Sequence, residues 1–269
     1  MKKLATALVS AAAIMTMSTT AFAAENPAEV FDRVMEKNNT IQSAEIQSGV
    51  HSVILAKDVI PDGQMKVDMA MHAEMDMQDT TDLKYLAQVA SSILGQDSYS
   101  QVFYTDGYYY VDANGVKLKY PMPLEQIISS VQTGVNTSNM ESSYMKGISL
   151  NEVNGKRVLA YEANPKKLNK NVKEALRTVM NTLGTDVNLD MNIQEMKGAY
   201  VLDDNDYIIY MTNYIVYNME VLDQPMTCIT LMETEVQNPG EPVVVTLPST
   251  DGYEDLIGLY DGVIESEVE

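Results

Sequence analysis

Alternating apolar and polar residues predict β-strands over much of this chain, most clearly in residues 65–77. In the stretch MKVDMAMHAEMDM every second side chain is apolar and points to one side of a strand, while mostly charged and polar side chains point to the other. The apolar positions are Met65, Val67, Met69, Met71, Ala73, Met75 and Met77. We expect a half-buried strand with one face toward solvent.

Rows of the same kind recur in residues 187–236, where the links between strands are too short for a crossover helix. This region therefore predicts an antiparallel meander. The first row contains Val187, Leu189, Met191 and Ile193, the second Ile209, Met211, Ile215, Tyr217, Met219 and Val221, and the third Met226, Cys228 and Met232.

Turn signals divide the rest of the strand-like sequence into hairpins. Residues 98–120 are rich in tyrosine and contain Asp106-Gly107 and Asn114-Gly115, while Asn154-Gly155 lies in the middle of residues 144–163. Such pairs favour two-residue turns with positive φ at both positions. A further strand is predicted around Ala44–Ile54, and Val243–Thr246 is a candidate edge strand.

Apolar residues at helical spacing predict four short helices. The first covers residues 27–38, with Asn26 as N-cap and Pro27 at the first helical position. The second is predicted between Thr80-Thr81 and Gly95, where Leu83, Leu86, Ala87, Ala90, Ile93 and Leu94 recur. The third begins at Pro123, with Leu124, Ile127, Ile128 and Val131 in register, and the fourth covers residues 165–183.

These elements predict a single α+β domain, in which several short helices lie against one face of a large curved antiparallel sheet. No linker or change of composition divides residues 24–248, which we assign to that domain. Residues 249–269 form an acidic C-terminal tail whose weak hydrophobic pattern is compatible with partial disorder.

The N-terminal residues 1–23 have the pattern of a cleaved signal peptide. Lys2 and Lys3 precede an apolar run, and Ala21-Phe22-Ala23 has the small-x-small form of a cleavage site. No cysteine follows that could carry a lipid anchor. We therefore expect a secreted or extracytoplasmic protein without a transmembrane segment.

Charge and cysteine content narrow the possible partners. Without Lys2 and Lys3, 38 acidic residues outweigh 16 basic ones, which argues against nucleic acids and anionic membrane surfaces. Cys228 is the single cysteine, so an internal disulfide is impossible, and its apolar surroundings predict a buried thiol. Stability is expected to come from a hydrophobic core.

The methionine rows suggest a surface that adapts to an apolar guest, because methionine is flexible and specifies packing less sharply than isoleucine or leucine. Ordinary core packing is the alternative at each single methionine. The predicted ligand contacts are Val67, Met69, Met71, Met75, Met77, Leu189, Met191, Ile193, Ile209, Met211, Ile215 and Met219. Copper at Met69, Met71, Met75 and Met77 is a minor alternative, because thioethers favour Cu(I). The valine, isoleucine, leucine and alanine residues in the same rows suit an acyl chain better.

Several of these features together resemble the LolA-like superfamily of exported proteins, which includes LolA, LppX, LprG and RseB. The resemblance rests on the signal peptide, the first helix, the methionine strands, the segment YTDGYYYVDANGVKLKYPMP and the hairpin VLDDNDYIIY. It covers residues 27–247 and is closest to a methionine-rich bacterial branch. It implies an open half-barrel sheet that wraps helices, with a hydrophobic cavity for acyl chains between the sheet and the helices. The chain departs from the family in lacking tryptophan.

Catalytic and cofactor motifs are missing from the sequence. His51 and His72 are the only histidines, and neither belongs to a metalloprotease or Ser-His-Asp pattern. Asp203, Asp204, Asn205 and Asp206 offer oxygen ligands, but they lack calcium-loop spacing and predict a polar turn. We therefore expect no enzyme, no cofactor and no metal site.

The leading hypothesis is a monomeric exported protein that binds a lipid or an acylated molecule between sheet and helices. The alternative is an RseB-like sensor or interaction module that contacts an envelope protein without a bound ligand.

Overall fold

The computed structural model of the chain describes residues 25–56, 60, 62–79, 83–123, 140–170, 191–221 and 224–255. Most of these residues are in strands. Helix α1 spans Pro27–Asn38, residues 165–170 are also helical, and Ser142–Tyr144 form one 3₁₀ turn. The strands are β1 Ser43–Leu55, β2 Gln64–Asp76, β3 Lys84–Ile93, β4 Gln96–Thr105, β5 Tyr108–Ala113, β6 Val116–Pro121, β7 Met145–Val153, β8 Lys156–Ala163, β9 Met191–Leu202, β10 Ile208–Val221, β11 Gln224–Gln237 and β12 Glu254–Asp255.

The strands belong to one sheet with the hydrogen-bonded order β12-β6-β5-β4-β3-β2-β1-β11-β10-β9-β8-β7. Every pair within β3–β6 and within β7–β11 is antiparallel, whereas β12 pairs with β6 in parallel. By its contacts the chain divides into two compact units. The first contains Met1–Asn38, Gly49–Asp68 and Asn139–Glu235, and the second Asn39–Ser48, Met69–Ser138 and Val236–Glu269.

Helix α1 provides the centre of the first unit's core, as its sequence predicts. Asn26 caps the helix, since its Oδ1 accepts a hydrogen bond from the Ala28 amide at 3.1 Å. The apolar stripe of α1 is buried, and the Phe31 ring meets Tyr161 edge-on at 5.8 Å and Tyr200 at 6.1 Å. The buried residues are Val30, Phe31, Val34, Met35, Met140, Leu159, Tyr161, Ala163, Leu168, Ile193, Tyr200, Leu202 and Ile208.

The turn between β9 and β10 is held against α1 by charge. Asp206 accepts hydrogen bonds from Arg33 Nε at 2.8 Å and from Arg157 Nη1 at 2.6 Å. Burial raises the pKa of the Asp206 carboxyl, but the two arginines outweigh that effect and hold the pKa below its ordinary value. Asp203 Oδ1 accepts the amides of Asn205 and Tyr207, each at 2.8 Å. The polar turn predicted for residues 203–206 is thus confirmed.

The second unit is built on the β3–β6 meander, with the predicted turns at Asp106-Gly107 and Asn114-Gly115. Phe103 stacks on Tyr110 at 4.6 Å, and Tyr253 meets both rings edge-on. Val245 and Leu86 complete this cluster. Residues 242–250 form no strand, so the edge strand predicted at Val243–Thr246 is wrong. The apolar alternation there reflects packing of an extended segment on the meander.

The helix predicted from Leu83 to Leu94 is also wrong, because residues 84–93 form β3 and pair with β4 in unbroken register. Leu94 (φ 52°) and Gly95 (φ 77°) form the hairpin turn. Small and apolar residues lie on both faces of β3, which imitates a helical spacing. Cross-strand pairing decides the outcome, with hydrogen bonds that include Gln88 to Gln101 at 2.8 Å.

The remaining two helix predictions are only partly within the described residues. Residues 165–170 are helical, and Asn164 Oδ1 accepts the Lys166 amide at 3.1 Å as an N-cap. Residues 124–139 and 171–190 lie outside the described residues. For the residues described, the predicted α+β class with several short helices is an overstatement, because the fold is mostly sheet.

Candidate functional site

The methionine strand, β2, changes from exposed to buried along its length. Met69 is 40% exposed and Met71 is half-buried, whereas Met75 and Met77 are 1% and 3% exposed. Val67, which lies in the first unit, is half-buried. The predicted alternation of burial is therefore confirmed from Ala73 to Met77 but not at Met69, which is as exposed as its neighbours, and Met75 and Met77 are core residues in the structure.

A second apolar surface lies across β9, β10 and β11 in the first unit. Each residue on this side of β10 is opposite one residue of β9 and one of β11. For Ile215 these are Met196 and Thr230, and for Tyr217 they are Ile193 and Cys228. For Met219 they are Met191 and Met226. Residues directly opposite in antiparallel strands share a face and have Cβ atoms about 5 Å apart. We call this surface the methionine face, and it consists of Met191, Ile193, Met196, Met211, Ile215, Tyr217, Met219, Met226 and Cys228.

Two β-bulges decide which residues of β9 and β10 reach this face. One lies where Val216 is opposite Glu195 but Tyr217 is opposite Ile193, so Gln194 is the extra residue. Met196 therefore shares a side with Ile193 although three positions separate them.

The other bulge lies between Ile208 and Tyr210. Ile208 enters the core at 6% exposure, and the predicted contact Ile209 is the extra, half-buried residue. The predicted contact Leu189 lies outside the described residues.

The methionine face continues the surface on which α1 packs. Ile193 belongs to the buried cluster around Phe31, and Met196, Met211, Ile215 and Tyr217 pack against that cluster while staying partly exposed. The face therefore passes from core to half-buried surface along three strands. The predicted contacts Met191, Ile193, Met211, Ile215 and Met219 are brought together on it.

Sulfur atoms lie in contact at one end of this face. Cys228 Sγ is 3.7 Å from Met219 Sδ, and the thiol is buried, as predicted. Burial raises the pKa of the Cys228 thiol, while a hydrogen bond with Tyr217 acts in the opposite direction. Burial likewise raises the pKa of Tyr217.

A second candidate surface is formed by residues of β1, β2 and β11. Val53, Ile229 and Leu231 line a surface depression of about 280 Å³ together with His51, Ser52, Lys66 and Asp68. His51 Nδ1 lies 2.7 Å from Asp68 Oδ1. This volume is at or below the lower end of the range for small-molecule pockets. The depression is therefore a weaker candidate than the methionine face.

His72 is half-buried and lies close to two carboxylates. Its Nε2 lies 3.2 Å from Glu45 Oε1 and 3.8 Å from Glu74 Oε1. Nowhere in the described ranges do three or more His, Cys, Asp or Glu side chains come close enough to hold a metal ion.

A row of tyrosines crosses the second unit and was not predicted as a site. Tyr85, Tyr104, Tyr109 and Tyr120 are directly opposite one another on β3, β4, β5 and β6. Burial raises the pKa of Tyr85, Tyr109 and Tyr120 above the ordinary value. The sequence contains the tyrosines, but only the register of four strands places them in one row.

Among the described helices, none has both the length and the apolar content needed to cross a bilayer.

Comparison with solved structures finds distant likenesses. LprF from Mycobacterium bovis is 10% identical, with a TM-score of 0.34, 84% of this chain covered and 100% of that chain. The ywiB protein from Bacillus subtilis is 11% identical, with a TM-score of 0.24, 74% of this chain covered and 96% of that chain. A beta-barrel-like protein of domain of unknown function DUF1849 from Brucella abortus is 11% identical, with a TM-score of 0.24, 74% of this chain covered and 100% of that chain. Likeness at this level gives no grounds for transferring a function.

Comparison with curated proteins gives no match. A family model, by contrast, matches residues 26–248, which is nearly the whole of the predicted domain. The chain belongs to DUF6612, a family of unknown function.

Proposed function

We propose that this chain is an exported, non-catalytic protein that binds a hydrophobic ligand, a lipid or an acylated molecule, against the methionine face. The observation that carries the proposal is the register of β9–β11. It aligns Ile193, Met211, Ile215 and Met219 on the surface that also receives α1, and leaves all but Ile193 only half-buried. Export is supported by the signal-peptide pattern of residues 1–23.

The chemistry of the face suits a flexible apolar chain. Each buried methylene contributes about 0.8 kcal/mol, so eight of them contribute about 6 kcal/mol before the cost of ordering the ligand. Methionine adjusts its side chain to ligands of different shape. Thr230, which is opposite Ile215 on this face, already has a polar partner, since its Oγ1 lies 2.9 Å from Ser52 Oγ. Affinity would therefore come from desolvation with little directional recognition.

Binding of a fluorescent fatty acid to delipidated protein tests the proposal, with Ile215→Gln compared against Val216→Gln. Ile215 lies on the methionine face. Its neighbour Val216, which pairs with Ile229 of β11, points to the other side of the sheet. A polar amide in an apolar contact costs about 1–3 kcal/mol, so Ile215→Gln should weaken binding by a factor of about 5 to 150. Val216→Gln should leave the affinity near that of the wild type.

Thermal unfolding of both variants establishes that they are folded. The proposal fails if the delipidated wild-type protein binds no fatty acid, or if the two variants lose affinity equally. Lipid recovered from protein purified from cells, measured by native mass spectrometry, would support it further.

A further inference from the structure

Sulfur-bearing residues of three strands are neighbours at one end of the methionine face. Met219 of β10 is directly opposite Met191 of β9 and Met226 of β11. Cys228 lies two residues from Met226, diagonal to Met219, and diagonal partners normally have Cβ atoms about 7 Å apart. The Sγ–Sδ separation of 3.7 Å shows that the two side chains lean toward each other.

We propose that Met191, Met219, Met226 and Cys228 form a binding site for a soft monovalent cation, Cu(I). Thioether and thiolate ligands select Cu(I), whereas calcium and magnesium require oxygen ligands. Two sulfur ligands at metal–sulfur bonds of about 2.3 Å and a tetrahedral angle lie about 3.8 Å apart. The observed distance between Cys228 Sγ and Met219 Sδ already has that value within about 0.1 Å.

The charge of the surroundings suits a monovalent ion. The Cys228 thiol is 1% exposed, and the three thioethers are neutral. Binding forms a Cu–Sγ bond and releases the thiol proton to solvent, so that the thiolate and Cu(I) together carry no net charge. A neutral pair avoids most of the cost of burying an isolated ion.

This site is distinct from Met69, Met71, Met75 and Met77, which the sequence suggested for copper. It goes beyond hydrophobic-ligand binding, because it requires sulfur at these positions. Leucine would fill the same apolar volume without providing a ligand atom, so the two functions are separable by substitution.

Anaerobic titration of the full chain with Cu(I), in competition with a chromophoric Cu(I) chelator, tests the proposal. The wild-type protein should bind one equivalent, and Met219→Leu and Met226→Leu should each weaken binding at least about tenfold. The matched control is Met232→Leu, on the same face of β11 but opposite Asn213, which should bind Cu(I) as the wild type does. Circular dichroism checks that each variant is folded. If one of the two leucine variants does not fold, the other still tests the proposal.

X-ray absorption of the Cu(I) complex provides a second readout. The proposal predicts a shell of three or four sulfurs at about 2.3 Å and a loss of sulfur neighbours in Cys228→Ser. A shell containing nitrogen, equal affinities for Met219→Leu and the wild type, or loss of binding only when Met69 and Met71 are replaced would each overturn it.

Discussion

Gly198 of β9 is a position where a single added methyl group should disrupt the fold. A Cβ placed there would lie 2.5 Å from Asn213 Oδ1, 2.5 Å from the Thr212 carbonyl oxygen and 2.9 Å from the Tyr161 hydroxyl. The Thr212 oxygen belongs to the backbone and cannot turn aside. The Tyr161 hydroxyl donates a hydrogen bond to Asn213 Oδ1, so a shift of either partner breaks a buried hydrogen bond.

The cost of Gly198→Ala follows from these contacts. Overpacking costs about 1–3 kcal/mol, and an unsatisfied buried polar group costs about 1–3 kcal/mol. Reduced entropy of the unfolded chain offsets about 0.5–1 kcal/mol. We expect a net destabilisation of about 3 kcal/mol, measured as a lower urea midpoint at unchanged slope.

Gly49→Ala in β1 is the matched control. A Cβ at Gly49 would meet no atom within 4 Å, and its φ is not positive. We expect the free energy of unfolding to change by less than about 0.5 kcal/mol, or to rise slightly. Equal stability of Gly198→Ala and the wild type would refute the close approach of β9 and β10 described above.

Three further substitutions test other parts of the fold. Asp206→Asn should remove about 2 kcal/mol of stability at neutral pH. The folded-state pKa of Asp206 is lowered, so the stability that its carboxylate provides is lost as the carboxylate is protonated. The difference in urea midpoint between wild type and variant should therefore shrink as the pH falls below about 4. A pH-independent difference would contradict the ion pair. Leu94 is 71% exposed with a φ of 52°, a backbone conformation that asparagine tolerates better than leucine. Leu94→Asn should therefore stabilise the protein by about 1 kcal/mol in thermal unfolding. A lower melting temperature would argue against the turn between β3 and β4. Phe31→Ala should cost about 3–5 kcal/mol in urea unfolding, and a loss below about 1 kcal/mol would contradict the packing of α1 on Tyr161 and Tyr200.

The sequence correctly predicted those elements whose ends or turns are determined by neighbouring residues. Asn26-Pro27 marks the start of α1, and Asn154-Gly155 marks the turn between β7 and β8. Leu94 misled the prediction because leucine rarely occupies a positive-φ turn position, so the hairpin at Leu94-Gly95 had no local signal.

The candidate site depends on longer-range geometry. The row of Met211, Ile215 and Met219 follows from alternation along β10, as predicted. Met196 could not be assigned to the same face, because the bulge at Gln194 is a property of the pairing of β9 with β10. The same holds for the tyrosine row, which exists only once four strands are in register. The single domain over residues 24–248, the monomeric state and the LolA-like function stay predictions.

Photo-crosslinking with a diazirine-bearing fatty acid, followed by peptide mapping, tests the proposed ligand site most directly. The account predicts labels on residues of the methionine face, above all Met211, Ile215 and Met219 of β10. Labels concentrated on the opposite face, at Val53, Ile229 and Leu231, would contradict it, as would the absence of any label that unlabelled fatty acid can displace.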